Sequence, residues 1–193
     1  MRVAVLLFGA WVSACDSATV AGVPEAEHYV RGANEPMYRE IFRVGELGKA
    51  KGAALQATIG TRVSRPHYFG MIVSTSQPLS SERSRLPDAK ISVRIRSASG
   101  QEISSFTFPL RQLTQQSTGS VPNVHPEFPG PYQTFAYLDQ WPEAAWNLEK
   151  GGTYVVTVKT EEAIELPTGM RLFAVVLLPG WKQMSMEIIN KPR

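Results

Sequence analysis

A single cysteine, three histidines and three aspartates stand in the 193 residues, and each scarcity excludes something. One thiol closes no disulfide within the chain and builds no cysteine-based zinc cage. The histidines, His28, His67 and His125, fall far apart, without the H-x-x-x-H or H-E-x-x-H spacing that puts two imidazoles on one helical face. No metal is expected. Aspartate occurs at 16, 88 and 139 alone, so no D-x-D-x-D-G calcium loop is present. Also missing are a G-x-S-x-G nucleophile elbow, a phosphate-cradling G-x-x-x-x-G-K and a dinucleotide fingerprint, so no cofactor and no catalytic residue is assigned. Net charge is +3, with 20 basic against 17 acidic residues, too mild a balance to imply nucleic-acid binding. No run of 18 apolar residues occurs, and no internal repeat. At this length one globular domain with a tail is expected, not two large domains.

What is present begins at the N-terminus. Met1-Arg2 is followed by an apolar or small stretch, VAVLLFGAWVSA, from Val3 to Ala14, and then by Cys15 and Asp16. One positive charge and about a dozen apolar residues have the form of a secretory signal and are too short for a permanent membrane span. Val12-Ser13-Ala14-Cys15 resembles the lipobox of bacterial lipoproteins. The resemblance implies cleavage after residue 14 and diacylglycerol on Cys15, with two or three acyl chains giving a stable tether. It also accounts for the solitary cysteine and its place at the end of the apolar stretch. Asp16 resembles the inner-membrane retention signal of enterobacterial lipoproteins, a rule that varies among bacteria, so both membranes stay open. The expected location is the periplasm-facing envelope.

Three regions follow: a signal over 1–14, a lipidated N-terminus with a flexible polar tether over 15–36, and one folded domain over 37–193. Short apolar runs separated by Gly, Pro, Ser and Asn clusters point to an all-β, two-sheet antiparallel sandwich of immunoglobulin-like or related Greek-key type. Strands are expected over 37–44, 53–63, 68–75, 133–138, 145–148, 153–160, 171–178 and 184–189. The clearest alternation is KISVRIR, Lys90–Arg96, with Ile91, Val93 and Ile95 on one face and Lys90, Ser92, Arg94 and Arg96 on the other. With the turn 97–100 and ISSFTFPL it predicts a hairpin over 90–109. Five prolines between 109 and 131 predict a long exposed loop. The run Leu148–Tyr154 reads equally as a tyrosine corner of Greek-key sandwiches, whose phenol bonds back across the strand entry, or as an ordinary hairpin turn with a core tyrosine. Arg65–Val73, Gly100–Ile103 and Leu148–Val158 together resemble a family of β-sandwich lipoproteins of unknown function, which brings no known active site.

Two surfaces are candidate binding sites. Lys90, Arg94 and Arg96 form a basic stripe, with Arg62, Arg65, Arg83 and Arg85 on neighbouring segments, suited to an acidic partner or to anionic lipid and glycan phosphates. A solvated sheet face with scattered countercharges explains them as well. Tyr132, Phe135, Tyr137, Trp141 and Trp146 crowd around prolines, with Trp141 expected to be exposed for stacking on a sugar or peptide. Asp139 and Glu143 near these tryptophans are a carboxylate pair of the kind a glycosidase uses, although a solvated loop explains them as well. The resulting expectation is a membrane-anchored, non-catalytic module that binds an unidentified envelope or secreted protein, with immunity protein or secretion accessory among its roles. A glycan-binding module using the aromatic segment, or a hydrolase with a site scattered through the sequence, are the alternatives.

Overall fold

A computed structural model describes residues 20–31, 39–76, 86–115, 121–122, 132–138, 141–178 and 187–190. The signal stretch and Cys15 lie outside these residues, as do Arg83, Arg85, His125 and Asp139. Within them the chain is an all-β sandwich of two antiparallel sheets, as its patterning predicts. The strands are β1 (Glu27–Arg31), β2 (Arg39–Glu46), β3 (Ala54–Gly60), β4 (Arg65–Thr75), β5 (Lys90–Ser97), β6 (Glu102–Pro109), β7 (Thr114–Gln115), β8 (Val121–Pro122), β9 (Tyr132–Tyr137), β10 (Ala145–Leu148), β11 (Thr153–Thr160), β12 (Met170–Leu177) and β13 (Glu187–Asn190). The larger sheet runs β13-β1-β2-β12-β4-β9-β7, with β10 added to β4 and β8 to β9; the smaller runs β3-β11-β5-β6. No helix among the described residues is long and apolar enough to cross a membrane.

The predicted hairpin is β5–β6, in register from Lys90 opposite Pro109 to Ile95 opposite Ser104. Its period-two pattern does what period two must. Ile91, Val93 and Ile95 are buried between the sheets while Lys90, Arg94 and Arg96 face solvent. The inter-sheet core joins these to Phe106, Phe108, Val156 and Val158 of the smaller sheet and to Phe42, Phe69, Met71, Leu172, Val176 and Trp146 of the larger. Each fully buried aliphatic or aromatic side chain contributes about 1.5–3 kcal/mol, so this layer dominates stability. A second apolar cluster, Tyr29, Ile41, Ile72, Phe173, Val175 and Leu177, occupies the opposite face of the larger sheet. That two-sided burial explains why β12 reads as a continuous apolar run instead of an alternating one.

Two expectations are corrected. The tether assigned to 15–36 is in part a strand: Glu27–Arg31 pairs with β2 on one side and β13 on the other, with Tyr29 1% exposed. Its polarity hid it, because His28 points inward to a polar partner and only five residues pair, too few to display a period. The loop over 111–131 contains two short strands, β7 and β8, both on β9. Pro122, which has no N–H to give, sits in a two-residue pairing of this kind, compatible with an edge.

The choice at Leu148–Tyr154 is decided by topology. β10 belongs to the larger sheet and β11 to the smaller, so the turn between them is a crossing and no hairpin. Its fastening is the phenol of Tyr154, which accepts the Glu149 N–H at 2.8 Å, a bond back to upstream main chain in the manner of a tyrosine corner. The ring passes so close over Gly152 that a Cβ there would overlap the hydroxyl. Thr61 closes the other side, its hydroxyl donating to the Glu149 carbonyl at 2.6 Å. Replacing Tyr154→Phe should therefore cost about 1 kcal/mol by orphaning the Glu149 N–H, and Gly152→Ala should cost more. Urea unfolding of both variants checks this, and a Tyr154→Phe midpoint equal to the parent's would show that the corner holds nothing.

Candidate functional site

The basic stripe exists as a geometry but carries compensating acid. Arg94 and Arg96 flank Glu102 at 3.2 and 3.9 Å, Lys90 lies 3.5 Å from Glu162, and Lys159 on the adjoining β11 lies 2.9 Å from Glu161. Glu161 also accepts the Ser92 hydroxyl at 2.6 Å, and that bond, ahead of the Lys159 bond and charge, holds its carboxyl below the usual range against a small opposing effect of burial. The exposed face of β5 is thus mixed in charge, and its pairs, each about half-exposed, contribute little to stability. Arg65 opens β4 in the other sheet, so it does not extend the stripe.

The aromatic group is divided by the fold. Trp146 is 2% exposed, its indole N–H donating to the Glu143 carbonyl at 2.8 Å. Trp141, expected to be exposed, is half-buried against Phe106 and Phe108, with ring centres 6.1 and 6.3 Å away. The reason is local. The turn at Pro142–Ala144 folds back onto the smaller sheet, where Ser104 donates to the Glu143 carbonyl, and carries the indole onto the core. Phe135 packs with the cluster on the other face of the larger sheet.

Inside the sandwich lies a group of polar residues that sequence reading did not join. Glu40, with no exposure, sits between two imidazoles: Nε2 of His28 is 2.9 Å from one carboxyl oxygen and Nε2 of His67 is 2.7 Å from the other. Strands β1, β2 and β4 each supply one member, so spacings of 12 and 27 residues concealed it. Nδ1 of His67 lies 2.8 Å from the Arg65 carbonyl, which only accepts, so Nδ1 is a donor. The His67–Glu40 contact therefore holds a proton additional to that one. Burial pushes the Glu40 carboxyl up, but the hydrogen bonds of His28 and His67 and their charge outweigh it and leave the group below its ordinary value. His28 also stacks on Phe42 at 4.1 Å. Among the described residues no three His, Cys, Asp or Glu side chains are arranged to hold a metal ion. Closed to solvent, this trio welds three strands together.

An open site lies where the N-terminal segment crosses from one sheet to the other. The Thr58 N–H donates to the Pro24 carbonyl and the Ala26 N–H to the Thr58 carbonyl, both at 2.8 Å, fixing Pro24–Ala26 along β3 before the chain enters β1. Beside this crossing, β2 carries a bulge opposite Ala174 and Val175, with Gly45 at φ +154° and the Leu55 side chain 3.3 Å from where its Cβ would be. Bulges re-aim side chains. The result is a cleft of about 500 Å³ lined by Pro24, Glu25 and Glu27, by Arg43 to Glu46, and by Ala57, Arg171 and Phe173. Its wall is a layered set of charges on an aromatic ring. The guanidinium groups of Arg43 and Arg171 lie 5.6 and 5.1 Å from the centre of Phe173. Arg43 pairs with Glu27, which also accepts the Tyr29 hydroxyl. Arg171 forks onto Glu46, its Nε 2.9 Å from one oxygen and a terminal nitrogen on the other. That hydrogen bonding holds Glu46 below its usual range against a weaker effect of burial, with the charges of Arg171, Lys49 and Arg43 assisting, and it raises Arg171. No motif marks this site, because its residues come from four separate stretches of chain.

Glu40→Gln should destabilise the fold by roughly 3–5 kcal/mol, the cost of breaking a buried charge cluster from one side. Since the folded-state carboxyl lies below its ordinary 4.5, its contribution is complete above that value and is lost as pH falls through the lower folded value. Unfolding free energies measured from about pH 6 downward should decline in the parent and less steeply in Glu40→Gln. Parallel curves would remove Glu40 as the cause.

No family model matches the chain, and no curated protein does. Among solved structures, the insecticidal delta-endotoxin Cry8Ea1 from Bacillus thuringiensis aligns at 11% identity over 79% of this chain, with a TM-score of 0.29. The chain spans about a quarter (24%) of that toxin's length.

Proposed function

We propose that this chain is a lipoprotein of the bacterial envelope, anchored through acylated Cys15 and working by non-catalytic binding of an unidentified envelope or secreted protein. The observation that carries the reading is the position of the only cysteine, directly after an apolar export stretch and in the small-residue context Val12-Ser13-Ala14. The fold is compatible with this use. A sandwich offers a rigid body, with sheet faces and loops available for contact. The face proposed to meet the partner is the outer side of β5, where Lys90, Arg94 and Arg96 alternate with Glu102 and Glu162. Such a face suits a partner of mixed charge better than a purely acidic one, because each cation already stands beside a carboxylate. Immunity against a secreted toxin and service to an envelope assembly are both roles of this kind. The glycan alternative loses its leading residue, since Trp141 packs on Phe106 and Phe108.

Mass spectrometry of the native protein should find residue 15 as the N-terminus, bearing diacylglycerol, and Cys15→Ser should abolish palmitate labelling and membrane retention. A bare thiol preceded by an intact residues 1–14 would end the anchor reading. For the face, Arg94→Glu with Arg96→Glu should remove partners captured from envelope extracts while leaving the unfolding free energy within about 0.5 kcal/mol of the parent, as for other exposed pairs. Unchanged capture would place the contact elsewhere.

A further inference from the structure

We propose that the cleft between the N-terminal crossing and β2–β12 binds a small zwitterion joining an oxyanion to a primary ammonium, the phosphoethanolamine head group of a neighbouring lipid being the source its position favours. Side chains of Arg43 and Glu27 are 18% and 16% exposed, whereas those of Arg171 and Glu46 are 43% and 41% exposed. The first pair is a fixed wall. The second is at the rim, and exposed pairs of this kind exchange partners at little cost. A planar guanidinium that forks onto a carboxylate is shaped equally for phosphate or a second carboxylate, and the Glu46 carboxylate released from it can accept N–H bonds from an ammonium. A zwitterion replaces both halves of the rim pair at once and leaves no charge uncompensated. An anion alone would strand Glu46, and a cation alone would strand Arg171. The cavity, about 500 Å³, is within the usual range for small-ligand sites, and Phe173 supplies an apolar floor.

Position selects the source, and this step rests on the anchor at Cys15. Pro24, the first residue bonded to β3, is also a wall of the cleft. Only eight residues, 16–23, lie between it and Cys15, a span of nine Cα steps. Even fully extended, that span reaches at most about 30 Å. The mouth of the cleft thus stays within reach of the leaflet that holds the acyl chains, where head groups are far more concentrated than free solutes.

Calorimetric titration of the acylated protein in detergent, with hydrogen exchange at Arg43–Glu46 and Arg171–Phe173 as the local readout, separates the outcomes. O-phosphoethanolamine should bind saturably and protect these amides. Phosphocholine, whose quaternary ammonium has no N–H for Glu46, should bind about tenfold more weakly. Arg171→Gln and Glu46→Gln, whose side chains are a little under half-exposed, should each weaken O-phosphoethanolamine binding by about tenfold or more with thermal midpoints close to the parent's. Stronger protection in vesicles of phosphatidylethanolamine and phosphatidylglycerol than of phosphatidylcholine and phosphatidylglycerol assigns the source to the bilayer. Binding of free alanine without that difference assigns it to an amino acid. The proposal is overturned if neither zwitterion binds, if inorganic phosphate or phosphocholine matches O-phosphoethanolamine, or if the two variants bind like the parent. Because O-phosphoethanolamine is a free solute, the same titration can be repeated on Cys15→Ser protein, which carries no acyl chains. Intact binding with a bare residue 15 would thus remove the anchor and keep the site, and the reverse result would do the opposite.

Discussion

Two main-chain hydrogen bonds at Thr58 govern how the rest of the molecule is used. By exchanging bonds with Pro24 and Ala26, Thr58 makes the N-terminal segment cross the open side of the sandwich before it joins the larger sheet as β1. Two consequences follow. Glu27 is delivered to Arg43 and His28 to Glu40, and the wall of the cleft is closed by Pro24 and Glu25. A segment that would otherwise act as a spacer becomes part of the architecture.

Polar groups in this sandwich act differently according to depth. The Glu40 trio is sealed, and its members answer one another's hydrogen-bonding capacity so fully that a carboxylate survives in the interior. Pairs on the outer face of β5 are solvated and replaceable. Between these limits lies the cleft, where one Arg–Glu pair is mostly covered and its neighbour is nearly half-open. Among the described residues of these three groups, the cleft is where fixed charge, an aromatic ring and solvent access coincide.

Legibility in the sequence followed the length and one-sidedness of each pattern. The hairpin from Lys90 to Pro109 was readable because seven residues alternate strictly and one face is wet. Strands buried on both faces, such as Met170–Leu177, were readable as apolar runs. Glu27–Arg31 escapes the pattern because the residue it turns to the inter-sheet core is a histidine and the one it buries on the other face is a tyrosine, so neither hydrophobicity nor period identifies it. The basic stripe was correctly placed on one face, but its countercharges come from Glu102 and Glu162, the latter 72 residues from Lys90, and no local window contains both. Trp141 was misjudged for a related reason: flanking polar and proline residues report the turn, while the direction in which the turn folds is set by the sheet beneath it.

By itself the amino-acid order determined the all-β class, the faces of the strongest strands and the chemical context of Cys15, since each is written in contiguous residues through period two or through a short apolar run. Tertiary structure alone decided that Tyr154 fastens a crossing between sheets, that Glu40 lies between His28 and His67, and that Arg43, Glu46, Arg171 and Phe173 meet around one cleft. Those groupings join residues up to 130 positions apart, from Arg43 to Phe173. Only strand pairing brings such distant residues together, and pairing depends on register across the whole sheet, which a local pattern does not encode.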